Sequence, residues 1–162
     1  MLESAPKHLI EAIGSEFADP FGTLPAWVAT VRLVAAMMLG GVIGLEREMR
    51  AKPAGLRTHM LISLAACLFT LIALRMISDA GAGPEALRID PLRLIEAVTS
   101  GVAFLAAGAI ITGRGTVKGL TTGAGMWLAG AIGLACGIGS LPLAFLATAV
   151  ALVVLAFVRL VE

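Results

Sequence analysis

The sequence predicts an all-α integral membrane protein with about five transmembrane helices and a short amphipathic N-terminal segment. Two observations lead to this fold class. The composition is too apolar for a soluble domain, since the mean hydropathy is +0.97, 59% of residues are hydrophobic and only 14% are charged. The apolar residues also form runs close to the ~20 residues that a helix needs to cross a bilayer.

Residues 1–25 are predicted to form an extracytoplasmic segment that contains an amphipathic helix. Leu9, Ile13 and Phe17 fit helical spacing, and Pro20 and Pro25 break the chain before the first apolar run. The segment is acidic, whereas a signal peptide begins with basic residues and continues with apolar ones. We therefore expect a surface helix here and no signal peptide.

Five apolar segments are predicted to cross the membrane. Their approximate bounds are 26–45, 58–74, 92–111, 120–138 and 143–158. The last two together cover about 39 residues, which is too long for one crossing. The last span runs almost to Glu162, so we expect no soluble domain after it. Asp90 is predicted to cap the third span, with Pro91 at its first helical position.

Loop charges predict the orientation, because Lys and Arg accumulate on the cytoplasmic side. Seven basic residues lie on one side and four on the other. The larger group is Arg47, Arg50, Lys52, Arg57, Arg114, Lys118 and Arg159. The N-terminus is therefore expected outside the cell and the C-terminus in the cytoplasm.

Small residues at helical spacing predict close helix packing, which membrane helices need because the hydrophobic effect does little to join them in lipid. The glycines expected to pack in this way are Gly40, Gly44, Gly101, Gly108, Gly123, Gly130 and Gly133. A chain so rich in glycine is also expected to form a homo-oligomer, with a dimer favoured.

Two groups of polar residues are candidates for a functional site. The outer polar cluster is Arg32, Asp90, Arg93 and Glu96. One interpretation is an ordinary helix start with an internal ion pair, and the other is a buried charge cluster completed by Arg32, which lines an outward-facing pocket. On the inner side the candidates are Glu46, Arg47, Arg57, Thr58, Lys118, Thr121 and Thr122.

Most of the inner residues are basic, as the orientation rule alone would require. Glu46 is different, because the helix dipole disfavours an acid at a helix C-terminus. We expect Glu46 to pair with Arg47, Arg50 or Arg57, and we expect His59 to be an interfacial polar residue.

Enzyme chemistry, cofactors and nucleic acid have no support in the sequence. No nucleophile lies beside a base, and GRGTVKG lacks the spacing of a phosphate-binding loop. Cys67 and Cys136 are isolated and fit small core residues better than a disulfide or zinc pair. No ligand spacing supports Mg²⁺ binding, and a net charge of +1 gives no indication of nucleic acid.

Four stretches resemble the MgtC/SapB family of bacterial inner-membrane proteins, in family order between residues 40 and 137. They read GGVIGLERE, PAGLRTHMLISLAACLFTL, DPLRLIEAVTSGVAFLAAGAII and TVKGLTTGAGMWLAGAIGLACG. Matching positions include Gly44, Glu46, Arg47, Gly55, Leu56, Arg57, Thr58, Asp90, Arg93, Gly101, Phe104, Gly108, Gly119, Leu120, Thr121, Thr122 and Trp127. The chain departs from the family pattern at Ala103, Ala106 and Glu96.

The resemblance implies a small regulatory protein of the bacterial cytoplasmic membrane. Members are associated with adaptation to low magnesium, with intracellular survival of pathogens and with inhibition of the membrane ATP synthase. The expected partners are therefore the lipid bilayer, copies of the chain and another membrane complex. The alternative is an ion or small-solute transporter or channel that uses the outer polar cluster.

Overall fold

Five helices make up most of the chain that the computed structural model describes, which is residues 10, 11, 14, 24–79, 90–113 and 116–161. The helices are α1 (Ala26–Met49), α2 (Leu56–Asp79), α3 (Pro91–Ala109), α4 (Leu120–Gly137) and α5 (Leu141–Val161). The prediction of an N-terminal amphipathic helix falls almost wholly outside the described residues.

The all-α membrane fold is confirmed. Helices α1, α2 and α4, together with Leu92–Ala109 of α3, are long and apolar enough to cross a bilayer, and α5 is apolar over Leu141–Phe157. Helices α1 and α2 extend well beyond their predicted apolar runs. Helix α1 continues to Met49, and α2 continues past Arg75, whose Nε lies 2.8 Å from the Asp79 carboxylate one turn later. Hydropathy predicts where the lipid-compatible sequence ends. The helix itself can continue further, because charged residues with good helix propensity or an ion pair one turn apart still stabilise it.

The connection between α3 and α4 is a short β-hairpin, and it begins before the predicted end of the third span at residue 111. Helix α3 ends at Ala109, and Ile111–Gly113 (β1) pairs antiparallel with Thr116–Lys118 (β2), so that Ile111 lies opposite Lys118. β-branched residues on both sides of the turn favour this short hairpin. Gly119 then begins α4 with φ of 89°, against the Ala109 carbonyl oxygen, where a side chain would be both strained and obstructed.

Helix α4 lies at the centre of the bundle and contacts all four other helices. Its glycines let neighbouring backbones approach: a Cβ at Gly133 would overlap the Ser63 carbonyl of α2, and one at Gly130 would lie 3.1 Å from Val102 of α3. Gly123 faces Ala106 of α3 in the same way. The glycine-rich sequence of α4 is thus explained by its close neighbours on several sides.

Helix α1 meets α2 through its own glycines. A Cβ at Gly40 would lie 2.6 Å from Ser63 Cβ, and one at Gly44 would lie 2.8 Å from Leu56 Cα. Gly101 and Gly108 of α3 are different, because no heavy atom of the described chain lies within 4 Å of their Cβ positions. The spacing of small residues predicted that Gly101 and Gly108 would pack against a neighbouring helix. In the described chain, no other helix covers this face of α3.

The turn between α4 and α5 closes α4 with a Schellman motif. Ser140 N–H donates to the Ala135 carbonyl at 2.9 Å, and Gly139 N–H donates to the Cys136 carbonyl at 3.0 Å. Gly139 has φ of 87°. Arg32 of α1 reaches the same helix end, where its Nη1 donates to the Gly137 carbonyl at 2.7 Å. This contact satisfies a carbonyl that the helix leaves unpaired and places a cation at the negative end of the helix dipole.

We expect Gly133→Ala to destabilise the protein, because the new Cβ would force α4 away from the Ser63 carbonyl. Overpacking of this kind costs about 1–3 kcal/mol. The control is Gly14→Ala, whose added methyl has no other atom within 4 Å and should change the free energy of unfolding by less than about 1 kcal/mol. Thermal unfolding in detergent compares the two variants, and equal effects would contradict the packing assigned to Gly133.

We expect Arg32→Met to lower stability, because the Gly137 carbonyl loses its side-chain donor. Leaving a buried acceptor unpaired costs about 1–3 kcal/mol. Arg57→Met makes the same chemical change at an exposed position of α2 and should shift stability by less than about 0.5 kcal/mol. A chemical unfolding series on both variants is the measurement. A larger loss for Arg57→Met would show that the Arg32 contact does not stabilise the fold.

Candidate functional site

The outer charged residues do not form a cluster within the part of the chain that the structure describes. Arg32 instead contacts the C-terminal end of α4, where its guanidinium donates to the Gly137 carbonyl. Asp90 caps α3 as predicted: its Oδ1 accepts from Leu92 N–H at 2.9 Å, and Pro91 occupies the first helical turn. Arg93 and Glu96 lie exposed on α3. In the described ranges, no ion pair joins Arg32, Asp90, Arg93 or Glu96.

On the inner side, the structure brings α1 and α4 together through a buried arginine. Arg47 is only 3% exposed, although it belongs to the last turn of α1. Its Nη2 donates to Thr122 Oγ1 at 3.2 Å, in the first turn of α4. Its buried Nε has no hydrogen-bond partner. The guanidinium therefore joins two helices but keeps unused hydrogen-bonding capacity.

The two acidic residues beside Arg47 are already engaged. Glu46 pairs with Arg50, which is one of the three partners that the sequence suggested. The Glu46 Oε2 atom is buried and accepts no hydrogen bond. Glu48 turns to the start of α2, where its Oε2 accepts from Leu56 N–H at 2.7 Å. Glu48 thus caps α2, where the helix dipole favours an acid.

His59, in the first turn of α2, is fully buried between the helices, since it is 0% exposed. Its Nδ1 lies 2.9 Å from the Gly55 carbonyl oxygen, which can only accept, so Nδ1 carries the proton. In the neutral ring Nε2 is then an acceptor, and it has no partner. Nε2 faces α4 at Gly125, where a Cβ would lie 3.1 Å away.

Ser63 follows His59 by one helical turn on the same face of α2. It is 0% exposed, its Oγ has no partner, and its side chain lies against Gly40 of α1. Ser63 is not among the residues that the sequence predicted for the inner site. The available signal was the four-residue spacing from His59 to Ser63, opposite the Gly40 and Gly44 pair, which places both polar side chains at a close helix contact.

These residues define a candidate site that we call the inner polar cluster. Its members are Glu46, Arg47, His59, Ser63 and Thr122. A buried polar group without a partner costs about 1–3 kcal/mol, and polar groups inside a membrane mark functional positions. Of the other predicted inner residues, Thr58 is half-buried, whereas Arg57, Lys118 and Thr121 are exposed.

The acidic, histidine and cysteine side chains do not gather into a metal site in the described ranges. No three of them converge on a point that could hold an ion. Cys67 and Cys136 are free thiols buried in the same apolar cluster. The donor set of the inner polar cluster is instead dominated by Arg47, which repels cations.

An apolar groove on the other side of α2 is a second candidate surface. It lies between α2 and α3 and has a volume of about 700 Å³. Ile62, Phe69 and Met76 line one wall, and Val98 and Leu105 line the other. The two helices contact each other little, since α3 is held mainly by α4.

Comparison with known proteins places the chain among bacterial membrane proteins. The model of the MgtC family matches residues 33–162. Protein SapB of Bacillus subtilis is 42% identical over 67% of this chain and 47% of its own length. A protein named "Putative magnesium transporter YhiD" from Escherichia coli K12 is 38% identical over 77% of this chain and 58% of its own length.

Protein MgtC of Salmonella typhimurium LT2 is 37% identical over 75% of this chain and 48% of its own length. The chain therefore spans about half the length of the curated relatives it matches. No solved structure matches the chain. The family model covers most of the sequence, including all five residues of the inner polar cluster. The chain therefore belongs to the MgtC family.

Proposed function

We propose that this is a small, non-enzymatic regulatory protein of the bacterial inner membrane, which serves adaptation to magnesium limitation through helix contacts with another membrane protein. The link to magnesium rests on the family and on relatives named MgtC and putative magnesium transporter. The loop charges favour an orientation with the N-terminus outside and the C-terminus in the cytoplasm.

The observation that carries this proposal is the one-sided packing of α3. Its inner face contacts α4, while Phe104 on its outer face is 80% exposed. Gly101 and Gly108 lie near Phe104 with open space at their Cβ positions. Small residues on an exposed face let a second backbone approach closely, which is how membrane helices associate. The groove between α2 and α3 extends this surface.

Charges on α3 support self-association as well. Arg93 and Glu96 are exposed in the first two turns of a membrane-crossing helix, and a charge that faces lipid is unfavourable, by up to roughly 2.5–3.5 kcal/mol at the centre of the bilayer. They differ in height by three residues, or about 4.5 Å. In a two-fold dimer through α3, this small offset would let each arginine reach the other copy's glutamate. A homodimer would therefore neutralise both charges.

A transporter is the second candidate, and the inner polar cluster is the observation that favours it. His59 Nε2 and Ser63 Oγ are buried acceptors without partners, which is common where a membrane protein moves protons or polar solutes. One relative also carries the name putative magnesium transporter. Burial favours Glu46 and His59 over the exposed Glu96 as candidate transport residues.

The two functions predict different behaviour in proteoliposomes. We expect the purified protein to give no Mg²⁺ or proton flux above protein-free vesicles, because a regulatory protein needs no conduction path. Flux is followed with magnesium-sensitive and pH-sensitive dyes. Robust flux abolished by His59→Leu or Glu46→Gln, with Glu96→Gln as a comparison, would overturn the regulatory proposal and assign transport to the inner polar cluster.

The contact surface is tested by cysteine cross-linking in bacterial membranes. In a Cys67→Ala, Cys136→Ala background, we expect Phe104→Cys on α3 to cross-link to a second copy or to another membrane protein. Phe145→Cys is the matched control, since Phe145 is 58% exposed on α5. An adduct of twice the protomer mass supports a dimer, and a larger one of different composition supports a partner. Equal cross-linking at both positions, or none at Phe104→Cys, would contradict a docking role for α3.

A further inference from the structure

The groove between α2 and α3 is apolar along its whole length. Its α2 wall runs from Leu61 to Met76, and its floor includes Ile62 and Val98, which are both buried. Among the described residues that line the groove, none carries an ionisable side chain. The groove therefore offers no partner to a polar solute and suits a hydrocarbon chain.

The dimensions of the groove fit a lipid tail better than a helix. Leu61 and Met76 are separated by about 22 Å of helix. A volume of about 700 Å³ spread over this length gives a mean cross-section of about 30 Å², whereas a helix with its side chains is about 10 Å across. One leaflet contributes about 15 Å to a hydrocarbon core that is about 30 Å thick. The groove is therefore long enough for an acyl chain of one leaflet and too narrow to take in a whole helix.

Arg57 lies at the inner end of the face of α2 that lines the groove. It precedes Leu61 by one helical turn, and Ala65 and Phe69 continue the same row of side chains toward the outer end. Arg57 is exposed, and no carboxylate of the described chain forms an ion pair with it. The positive-inside rule explains on which side of the membrane Arg57 lies, but it does not explain why Arg57 continues this row.

The two ends of the groove differ in charge. In the described ranges, the outer ends of α2 and α3 carry two cations and three acids, namely Arg75, Arg93, Asp79, Asp90 and Glu96. The described part of the inner end of the bundle carries five cations and two acids, namely Arg47, Arg50, Lys52, Arg57, Lys118, Glu46 and Glu48. Basic side chains at a membrane surface attract anionic lipids. An anionic headgroup is therefore attracted to the inner end of the groove and not to the outer end.

We propose that the groove binds one anionic phospholipid of the inner leaflet, with its phosphate on Arg57 and one acyl chain between α2 and α3. The guanidinium is a planar fork of N–H donors that matches the oxygens of a phosphate. The acyl chain supplies packing between two helices that contact each other little, because α3 is held mainly by α4.

The lipid site does not rest on the regulatory function. Gly108 lies outside the groove, so a lipid in the groove leaves that part of α3 open to another helix. Lipid binding is measured on the purified chain, whereas cross-linking at Phe104→Cys in bacterial membranes reports a protein contact. The failure of one proposal is therefore distinguishable from the failure of the other.

The headgroup contact is tested on the full chain in a maltoside detergent. Phosphatidylglycerol and phosphatidylethanolamine with identical acyl chains are titrated, and binding is followed by native mass spectrometry and by thermal unfolding. We expect phosphatidylglycerol to bind at least about fivefold more tightly and to raise the unfolding temperature, because it stabilises the folded state that binds it. Arg57→Gln should weaken phosphatidylglycerol binding at least about fivefold and leave lipid-free unfolding unchanged. Lys52→Gln, which removes a loop charge at the same end, should weaken it less than about twofold.

The acyl-chain contact is tested by filling the groove. Ala65→Trp should weaken the binding of both lipids, since Ala65 is exposed in the groove wall. Ala149→Trp makes the same change at an exposed position of α5 and should leave binding unchanged. The proposal is overturned if the two lipids bind equally, if Arg57→Gln and Lys52→Gln have equal effects, or if Ala65→Trp binds like the wild type. A lipid-free oligomer that Ala65→Trp dissociates would also overturn it and assign the groove to a second copy.

Discussion

The fold depends on how closely the backbone of α4 approaches α2. At Gly133 it meets the Ser63 carbonyl, and at Gly137 it lies against the Thr70 side chain. Close backbone approach is what holds membrane helices together, because burial from water contributes little between segments already in lipid. The close approach of α4 to α2 also determines how far the side chains of α1 must extend to contact α4. Arg32 and Arg47 reach α4 at its two ends, and both contacts would be lost if α4 moved outward by the width of a side chain.

These two arginines lie in opposite electrostatic environments. The difference distinguishes Arg32, whose role is structural, from Arg47, which belongs to the candidate functional site. Arg32 lies at the C-terminal end of α4, where carbonyl oxygens and the helix dipole both favour a cation, so its contact with Gly137 is complete. Arg47 lies at the N-terminal end, where the dipole opposes a cation and the available partner is neutral. The same residue type therefore meets a favourable helix dipole at one end of α4 and an unfavourable one at the other.

The sequence predicted the features that depend on composition or on contacts within one helical turn. Apolar runs gave the membrane helices, and the Asp90-Pro91 pair gave the start of α3 because a cap acts within one turn. It could not predict the partner of Arg32 or the burial of His59, since both depend on which helices pack together. It also grouped Arg47 with Thr122 on one side of the membrane, through loop charges and family resemblance, but only packing across 75 positions of sequence brings them into contact.

The start of α4 lies directly against the end of α3. Gly119 begins α4 with φ of 89°, and a Cβ at this position would overlap the carbonyl oxygen of Ala109, the last residue of α3. Further along the two helices, Gly123 of α4 faces Ala106 of α3, and Gly130 faces Val102. Helix α3 is thus held against α4 along one face only, because α2 contacts it little. The opposite face, with Phe104, Gly101 and Gly108, is therefore the part of α3 that another membrane helix can approach.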